Sequence, residues 1–465
     1  MNFVTFEFLI FFTLILILNW FLKKWPLAWR LFLLLSGYFF YFVWDFRFLL
    51  IVFLVSVFNF ISGLAVYKNL FGKRKTMLII SVVFNIFVLG VFKYYDFFRV
   101  AAESLLNKIG LPFGFPLLEI ILPIGLSFYI FRAISYNADI YLKKIPACFS
   151  LLDFLIYISF FPHLLSGPIM RAGNFLIQLK NGGSRKIENL QENITLILIG
   201  LFKKLVISSY LVLNITDDVF AVPENHSGYI ILLAVFAYSL VIYFDFSGYS
   251  DMAIGFAGLM GFKSPVNFNR PYLALNIRDF WRRWHISLSG WIRDYVYIPL
   301  GGNRKGEAKK YLNLMTAMVL IGFWHGPAFH FIAWGALQGF VLIFSHRINF
   351  SPKKYLSKLF CWFLTFNFIS FSWIFFRSKT IKDGFVFIKN IFISGKNIEA
   401  LKVYVIVFLA VGFLLFLFEK QITFFLAGIQ KKLNTFFWII FVIAALILIL
   451  KFSPDTVPQF IYFNF

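Results

Sequence analysis

The sequence predicts an all-α, polytopic membrane protein with about 11–13 transmembrane or re-entrant helices. Three observations predict it. Hydrophobic residues fill 60% of the 465 positions and only 14% are charged, too few to cover the surface of a soluble chain of this length; the mean hydropathy is +0.81. Apolar stretches of roughly 18 residues or more, long enough to cross a hydrocarbon core ~30 Å thick, recur from one end to the other. The 44 Lys and Arg, against 21 Asp and Glu, fall in short segments between these stretches. That is how positive-inside topology is written, and it makes nucleic acid a poor partner despite the formal charge of +23. The 68 Phe suit lipid-facing helix surfaces and carry no function by themselves.

Taken in order, apolar runs lie near residues 3–22, 29–44, 48–66, 76–98, 117–137, 150–170, 192–214, 229–260, 311–324, 328–346, 356–376, 401–419 and 434–452. The first, Phe3 to Leu22, lacks a basic leader and a small-residue cleavage site, and reads as a retained span rather than a signal peptide. Lys23, Lys24 and Arg30 follow the first span, and Lys68, Lys73, Arg74 and Lys75 the third. Both loops are expected on the cytoplasmic side, which puts the N-terminus outside. Lys143, Lys144, Arg185 and Lys186 continue the pattern, and acidic Asp217, Asp218 and Glu224 fit the outer face. No repeat and no long hydrophilic stretch divides the chain. It reads as one membrane domain over 1–465: N-terminal helices 1–110, a core 117–350 containing a cytoplasmic-side segment 262–310, and C-terminal helices 356–465. Cys148 and Cys361 lie far apart in apolar settings, and neither a disulfide framework nor a metal site is expected of them.

Two runs are interrupted, by Leu122-Pro123-Ile124-Gly125 and by Phe161-Pro162-His163 with Ser166-Gly167-Pro168. Pro and Gly free backbone groups that hydrocarbon cannot satisfy, so such breaks belong inside protein or beside water. Either alone could be a proline kink; together they predict re-entrant segments around an internal chamber.

Segment 262–310 is the most informative. Ten Lys and Arg, among them Arg278, Arg282, Arg283 and Arg293, face only Asp279, Asp294 and Glu307, and are threaded with Trp281, Trp284, Trp291, Tyr272, Tyr295 and Tyr297. Amphipathic rings of this kind are expected at a membrane interface. Asn276 and Asp279 have the spacing of a helix start, and Asp279–Arg283 that of an i,i+4 pair. On that helix His285 would share a face with Trp281, beside cations that disfavour its protonation. Positive-inside charge with interfacial aromatics accounts for the charges and rings, but not for His285.

A second constellation is Trp324-His325-Gly326-Pro327, followed by His330 and Trp334-Gly335. A histidine between apolar spans is costly and reads as functional. A continuous helix would set His330 about 140° away from His325, so the two would not share a metal-binding face; a structural, hydrogen-bonded role is the plainer reading of His330. His163, His226 and His346 look less special. Asp245 and Asp251 lie within an apolar run, either as paired structural groups lining a cavity or as a transporter's carboxylates. A phosphate-binding loop, a dinucleotide fingerprint and a nucleophile elbow are all missing.

Phe280-Trp-Arg-Arg-Trp-His285-Ile-Ser-Leu-Ser289 and Trp291-Ile-Arg-Asp-Tyr295-Val-Tyr-Ile-Pro-Leu-Gly-Gly-Asn-Arg304 resemble the signature of membrane-bound O-acyltransferases, closest to the bacterial alginate O-acetyltransferase branch. Trp324-His325-Gly326 with Trp334-Gly335, Phe161 to Pro168, Asp245 to Asp251, Asn267 to Pro271 and the terminal Pro458 to Phe465 are similar in kind. His330, where relatives often carry a smaller polar residue such as Asn, and the longer Pro458-Gln-Phe depart from the pattern.

The resemblance implies helices around a central tunnel in the bacterial cytoplasmic (inner) membrane, with His325 and His285 as the family's two histidines. It further implies acetyl-CoA as cytoplasmic donor and no metal, and as acceptor an extracytoplasmic polysaccharide or a periplasmic SGNH-type acyltransferase partner. On this reading His325 is the general base and His285 positions the thioester or assists proton movement. Arg278, Arg282, Arg283 and Arg293, with Trp281 and Trp284, form the coenzyme-binding set, guanidinium forks suiting phosphates. A carrier-protein donor of D-alanine, as in the teichoic-acid branch, is the nearest alternative; a polysaccharide or lipid transporter without chemistry and a structural scaffold are others.

Overall fold

A computed structural model describes residues 1–111, 113–118, 120–164, 167–348, 354–393 and 403–461, with the backbone alone at Phe71. Among the described residues every regular element is helical. Among these residues eight helices are long and apolar enough to cross a membrane, and two shorter ones, Pro26–Phe42 and Thr435–Lys451, are apolar as well. The chain is an all-α polytopic membrane protein. The three remaining apolar runs depart from simple spans, and each departure has a local cause. The chain divides into two compact units.

The first unit, Met1–Glu188 with Leu259–Ser264, contains α1 (Phe6–Phe21), α2 (Pro26–Phe42), α3 (Phe46–Tyr67), α4 (Arg74–Lys108, with a π-turn at Gly90–Tyr94), α5 (Leu126–Tyr141), α6 (Leu151–Ser159) and α7 (Ala172–Lys180). A buried amide cluster ties α3, α4 and α5: Asn59 Oδ1 accepts from Asn85 (2.7 Å), Ser81 (3.1 Å) and Asn137 (2.8 Å). Lysine- and arginine-bearing loops meet: Lys23 donates to the Arg185 carbonyl (2.6 Å), and Arg74 to that of Ile140 (3.1 Å).

Both expected breaks are present. The run 117–137 turns helical only at Leu126, after Gly125 adopts a left-handed φ of 73°, and the freed Ile124 carbonyl accepts from Tyr41 (3.2 Å). The run 150–170 stops being α-helical at Ser159 and passes into a short 3₁₀ turn, Phe161–His163. Buried Arg132 reaches into this break and donates to the carbonyls of Tyr157 and Ile158 (3.4 Å each) and His163 (2.5 Å). A guanidinium therefore satisfies the acceptors that the proline-bearing turn releases, as hydrocarbon could not. His163, treated as unremarkable in the sequence, is fully buried, with Nε2 2.7 Å from Ser264 Oγ. Ser166 lies outside the described residues.

The second unit, Asn189–Gly258 with Pro265–Phe465, is built on α8 (Leu190–Ala221), α9 (Gly228–Leu259), the short α10 (Ile277–Arg283) and α11 (Ile286–Ile292), then α12 (Gly306–His325), α13 (Phe329–Ile348), α14 (Tyr355–Arg377), α15 (Ile381–Ile393), α16 (Val403–Lys432) and α17 (Thr435–Lys451). The run 311–324 sits in the apolar half of α12, whose first turns are polar.

Wide π-turns interrupt α8 at Phe202–Ser208 and Val212–Thr216, and the first carries two buried lysines. Lys203 pairs with Asp251 (2.6 Å) and with Glu419, which also accepts from the Tyr243 hydroxyl (2.6 Å). Lys204 pairs with Asp245 (2.5 Å) and donates to the Pro458 carbonyl (2.8 Å), while Asp245 accepts from the Ile461 amide (2.7 Å). Asp245 and Asp251 are thus ion-paired groups that tie α8 to α9, α16 and the C-terminal segment.

Candidate active site

Much of the aromatic part of segment 262–310 packs into the protein, while 298–300 and 303–309 are exposed. Trp281, Trp284, Trp291 and Tyr272 are buried. The apolar rings that would sit among headgroups find a protein core: Trp284 packs against Phe280, Phe268 and Trp373 at 5.2–5.6 Å, and the Tyr272 hydroxyl donates to the Ser239 carbonyl (2.6 Å). Tyr295 and Tyr297 stay half-buried.

The expected helix start is present. Asn276 Oδ1 accepts from the Asp279 amide (2.9 Å), and Asp279 pairs with Arg283 (2.9 Å). The helix does not reach His285. It ends at Arg283, and His285 takes a left-handed φ of 41° at the junction before α11, so the shared helical face with Trp281 does not form. Two backbone bonds hold this junction against segment 267–269: the Asn269 amide donates to the Arg283 carbonyl and the Ile286 amide to that of Asn267, 2.9 Å each.

His285 is fully buried. Its Nδ1 lies 3.2 Å from Asn267 Oδ1, and rings of Phe246 (4.7 Å) and Trp324 (6.1 Å) flank it. It lies outside the spanning helices, and burial pushes its imidazole down to about 3. The direction expected from the sequence holds, but desolvation causes it, not neighbouring arginines.

His325 is the last residue of α12 and is also buried. Gly326 leaves the helix in extended conformation, and α13 doubles back at Phe329. A methyl group on Gly322 would run into the Phe331 carbonyl, and its nearest atom on Gly335 would be 3.0 Å away. The pair Gly322/Gly335 therefore permits the close α12–α13 approach that sets His325 against Trp334 (5.4 Å) and Phe376 (5.0 Å). Trp324 contacts His325 at 4.9 Å as well as His285, so one indole joins the two histidines. His330 lies on α13 with Nδ1 3.0 Å from the Phe375 carbonyl, a hydrogen-bonded packing role.

The arginines divide. Arg283 pairs with Asp279 and exposed Arg293 with Asp294 (2.8 Å). Arg278 and Arg282 have no ion pair among the described residues, and Arg278 lines a groove of about 360 Å³ with Asn276, Ser345 and Cys361. No group of three or more His, Cys, Asp or Glu that could hold a metal gathers among the described residues.

The model for the MBOAT, membrane-bound O-acyltransferase family matches residues 142–376, which contain both histidines and the segment between them. The chain belongs to the membrane-bound O-acyltransferase family. It is 38% identical to "Probable alginate O-acetylase AlgI" of Pseudomonas aeruginosa, over 79% of this chain and 70% of the relative. It is 35% identical to "Peptidoglycan O-acetyltransferase" of Helicobacter pylori, over 78% and 74%. With "Teichoic acid D-alanyltransferase" of Bacillus subtilis it shares 28% identity over 55% and 69%. In the second unit of this O-acyltransferase two buried imidazoles, His285 and His325, meet on Trp324.

Sequence reasoning missed Asn267, Lys203, Lys204, Glu419 and Arg132. Asn267 opens the stretch Asn267 to Pro271, which by itself assigns it no role. The lysines lay inside an apolar run, which was itself the signal, since a buried ammonium requires an anion.

Proposed function

We propose that the protein moves an acetyl group from cytoplasmic acetyl-CoA to a hydroxyl of an extracytoplasmic polysaccharide or of a periplasmic relay protein, such as an SGNH-type acyltransferase, across a bacterial cytoplasmic membrane with the N-terminus outside. The observation that carries the reading is the pair of buried histidines, His285 and His325, joined by Trp324. Relatives named as alginate O-acetylase and peptidoglycan O-acetyltransferase support acetyl as the acyl group and a cell-envelope polymer as the class of acceptor.

A hydroxyl is a weak nucleophile, so a neutral imidazole must take its proton as it attacks. In this mechanism His325 is that base. The hydroxyl oxygen bonds to the thioester carbonyl carbon while its proton passes to His325. The C–S bond then breaks, and the departing thiolate takes the proton back from the imidazolium. Arg278 and Arg282, without a carboxylate partner among the described residues, bind the donor's phosphates; Arg283 and Arg293 reach them only by sharing with Asp279 and Asp294. Trp281 and Trp284 form the wall behind this set. A central tunnel lets the small acetyl group cross while the charged cofactor stays behind.

Incubating the purified protein with radiolabelled acetyl-CoA and candidate acceptors tests the reading. Label appearing on polysaccharide or relay protein is expected. Transfer from a D-alanyl carrier protein with none from acetyl-CoA would replace it by the teichoic-acid type of reaction, and movement of an unmodified polymer with both histidines replaced would replace it by transport.

A further inference from the structure

Asn267 is almost fully buried and uses both ends of its amide. Nδ2 donates to Ser250 Oγ (3.1 Å), while Oδ1 accepts from the Ser287 amide (3.3 Å) and hydroxyl (2.8 Å) and lies 3.2 Å from His285 Nδ1. The oxygen and nitrogen of an asparagine are normally told apart only by their partners. Here the Ser287 backbone N–H can only donate, so the atom it faces is the oxygen. An amide oxygen can only accept, so Nδ1 of His285 carries the hydrogen. A neutral imidazole has one N–H, which leaves the lone pair on Nε2. The backbone repeats the hold, since the Asn267 carbonyl accepts from Ile286, the residue after the histidine (2.9 Å).

We propose that Asn267 is a positioning residue that locks His285 in the tautomer protonated at Nδ1, so that Nε2 meets the substrate only as a hydrogen-bond acceptor. The inference rests on the acetyl-transfer reading and sharpens it. A thioester carbonyl is itself an acceptor, so His285 does not polarise it. The partner of Nε2 is an O–H or N–H donor: the acceptor's hydroxyl, or an amide of the thioester's pantetheine arm. A histidine held in the wrong tautomer cannot take a proton at the nitrogen that faces the reaction.

The test uses the full chain in detergent, labelled with ¹⁵N-histidine, with the His285 signals identified by their loss in H285Q. Wild type is expected to show the Nδ1–H form. N267A is expected to populate the Nε2–H form and to lose at least about tenfold in kcat, the usual scale for a residue that orients a functional imidazole. N267D retains an acceptor at Nδ1 and adds a carboxylate, so it keeps the tautomer and moves the acid limb of kcat to higher pH; a purely structural role would lower yield and Tm in both variants without moving that limb. If N267A does not fold, N267D carries the test through its pH profile. Replacing His285 tells the two donors apart, since loss of an amide contact raises the KM for the thioester and loss of the hydroxyl contact lowers kcat alone. An Nε2–H His285 in wild type, or an N267A enzyme with unchanged kcat, overturns the proposal. A tautomer that follows Asn267 in a protein that transfers no acetyl group would leave the lock standing and defeat the functional reading.

Discussion

The indole of Trp324 lies 6.1 Å from the His285 ring, centre to centre, and 4.9 Å from that of its neighbour His325. Residues 40 positions apart in the chain thus meet through one aromatic side chain. The contact forms where the chain has left α10 at Arg283 and His285, with a left-handed φ, precedes α11, while Gly326 stops α12 directly after His325.

Replacing His325 with Ala is expected to lower acetyl transfer by about 100- to 10,000-fold, the span that general-base catalysis contributes. The radiolabel assay, run on protein of unchanged expression and Tm, measures it. Activity within a few-fold of wild type would remove His325 from the mechanism.

Replacing Arg278 and Arg282 together with Ala should raise the KM for acetyl-CoA by about tenfold or more and leave kcat largely intact. Hydrogen bonds to charged groups are worth about 1.5–3 kcal/mol each, and a decade of affinity is about 1.4 kcal/mol. R293A alone should do less, because Arg293 is exposed and already paired with Asp294. Equal effects of the two changes would show that the split between free and paired arginines has no bearing on donor binding.

The sequence revealed features carried by neighbours in the chain and hid those that depend on distant ones. The Asn276 cap, the Asp279–Arg283 pair and both helix breaks were legible because each is a local pattern of capping, i,i+4 spacing or proline and glycine chemistry. His285 was identified, but its surroundings were not. Helical periodicity carried its side chain onto a face that ends two residues too early, and nothing local announces φ of 41° in a histidine. Tryptophans taken for an interfacial belt are core residues, since the same amphipathic rings suit either setting. The anions opposite Lys203 and Lys204 are 48, 216 and 41 positions away, at Asp251, Glu419 and Asp245.

Replacing Lys204 with Met should destabilise the protein by about 3–5 kcal/mol, because Asp245 would remain buried without its countercharge. The two side chains are 1% and 3% exposed, so solvent screens the pair little. Adding D245N to K204M should recover part of the loss by neutralising the orphaned carboxylate. Thermal unfolding in detergent measures both, and a double variant no more stable than K204M would argue that the tail contacts of Lys204, not the ion pair, dominate.

His285 gives stability a defined dependence on pH. Its folded-state value, near 3, is below the ordinary 6.5 because burial disfavours the charged form. Below 6.5 the unfolded chain therefore binds a proton at this site that the native state refuses, and the unfolded state gains. The contribution of His285 is flat above about pH 6.5, and stability is lost as pH falls from there towards 3. H285Q, which cannot be protonated, should remove this slope from a plot of Tm against pH while leaving the contributions of carboxylates such as Asp45, held below its usual value by hydrogen bonds from Arg47. Parallel curves for wild type and H285Q between pH 7 and 4 would show that His285 titrates alike in the folded and unfolded chain, and that burial does not keep it neutral below 6.5.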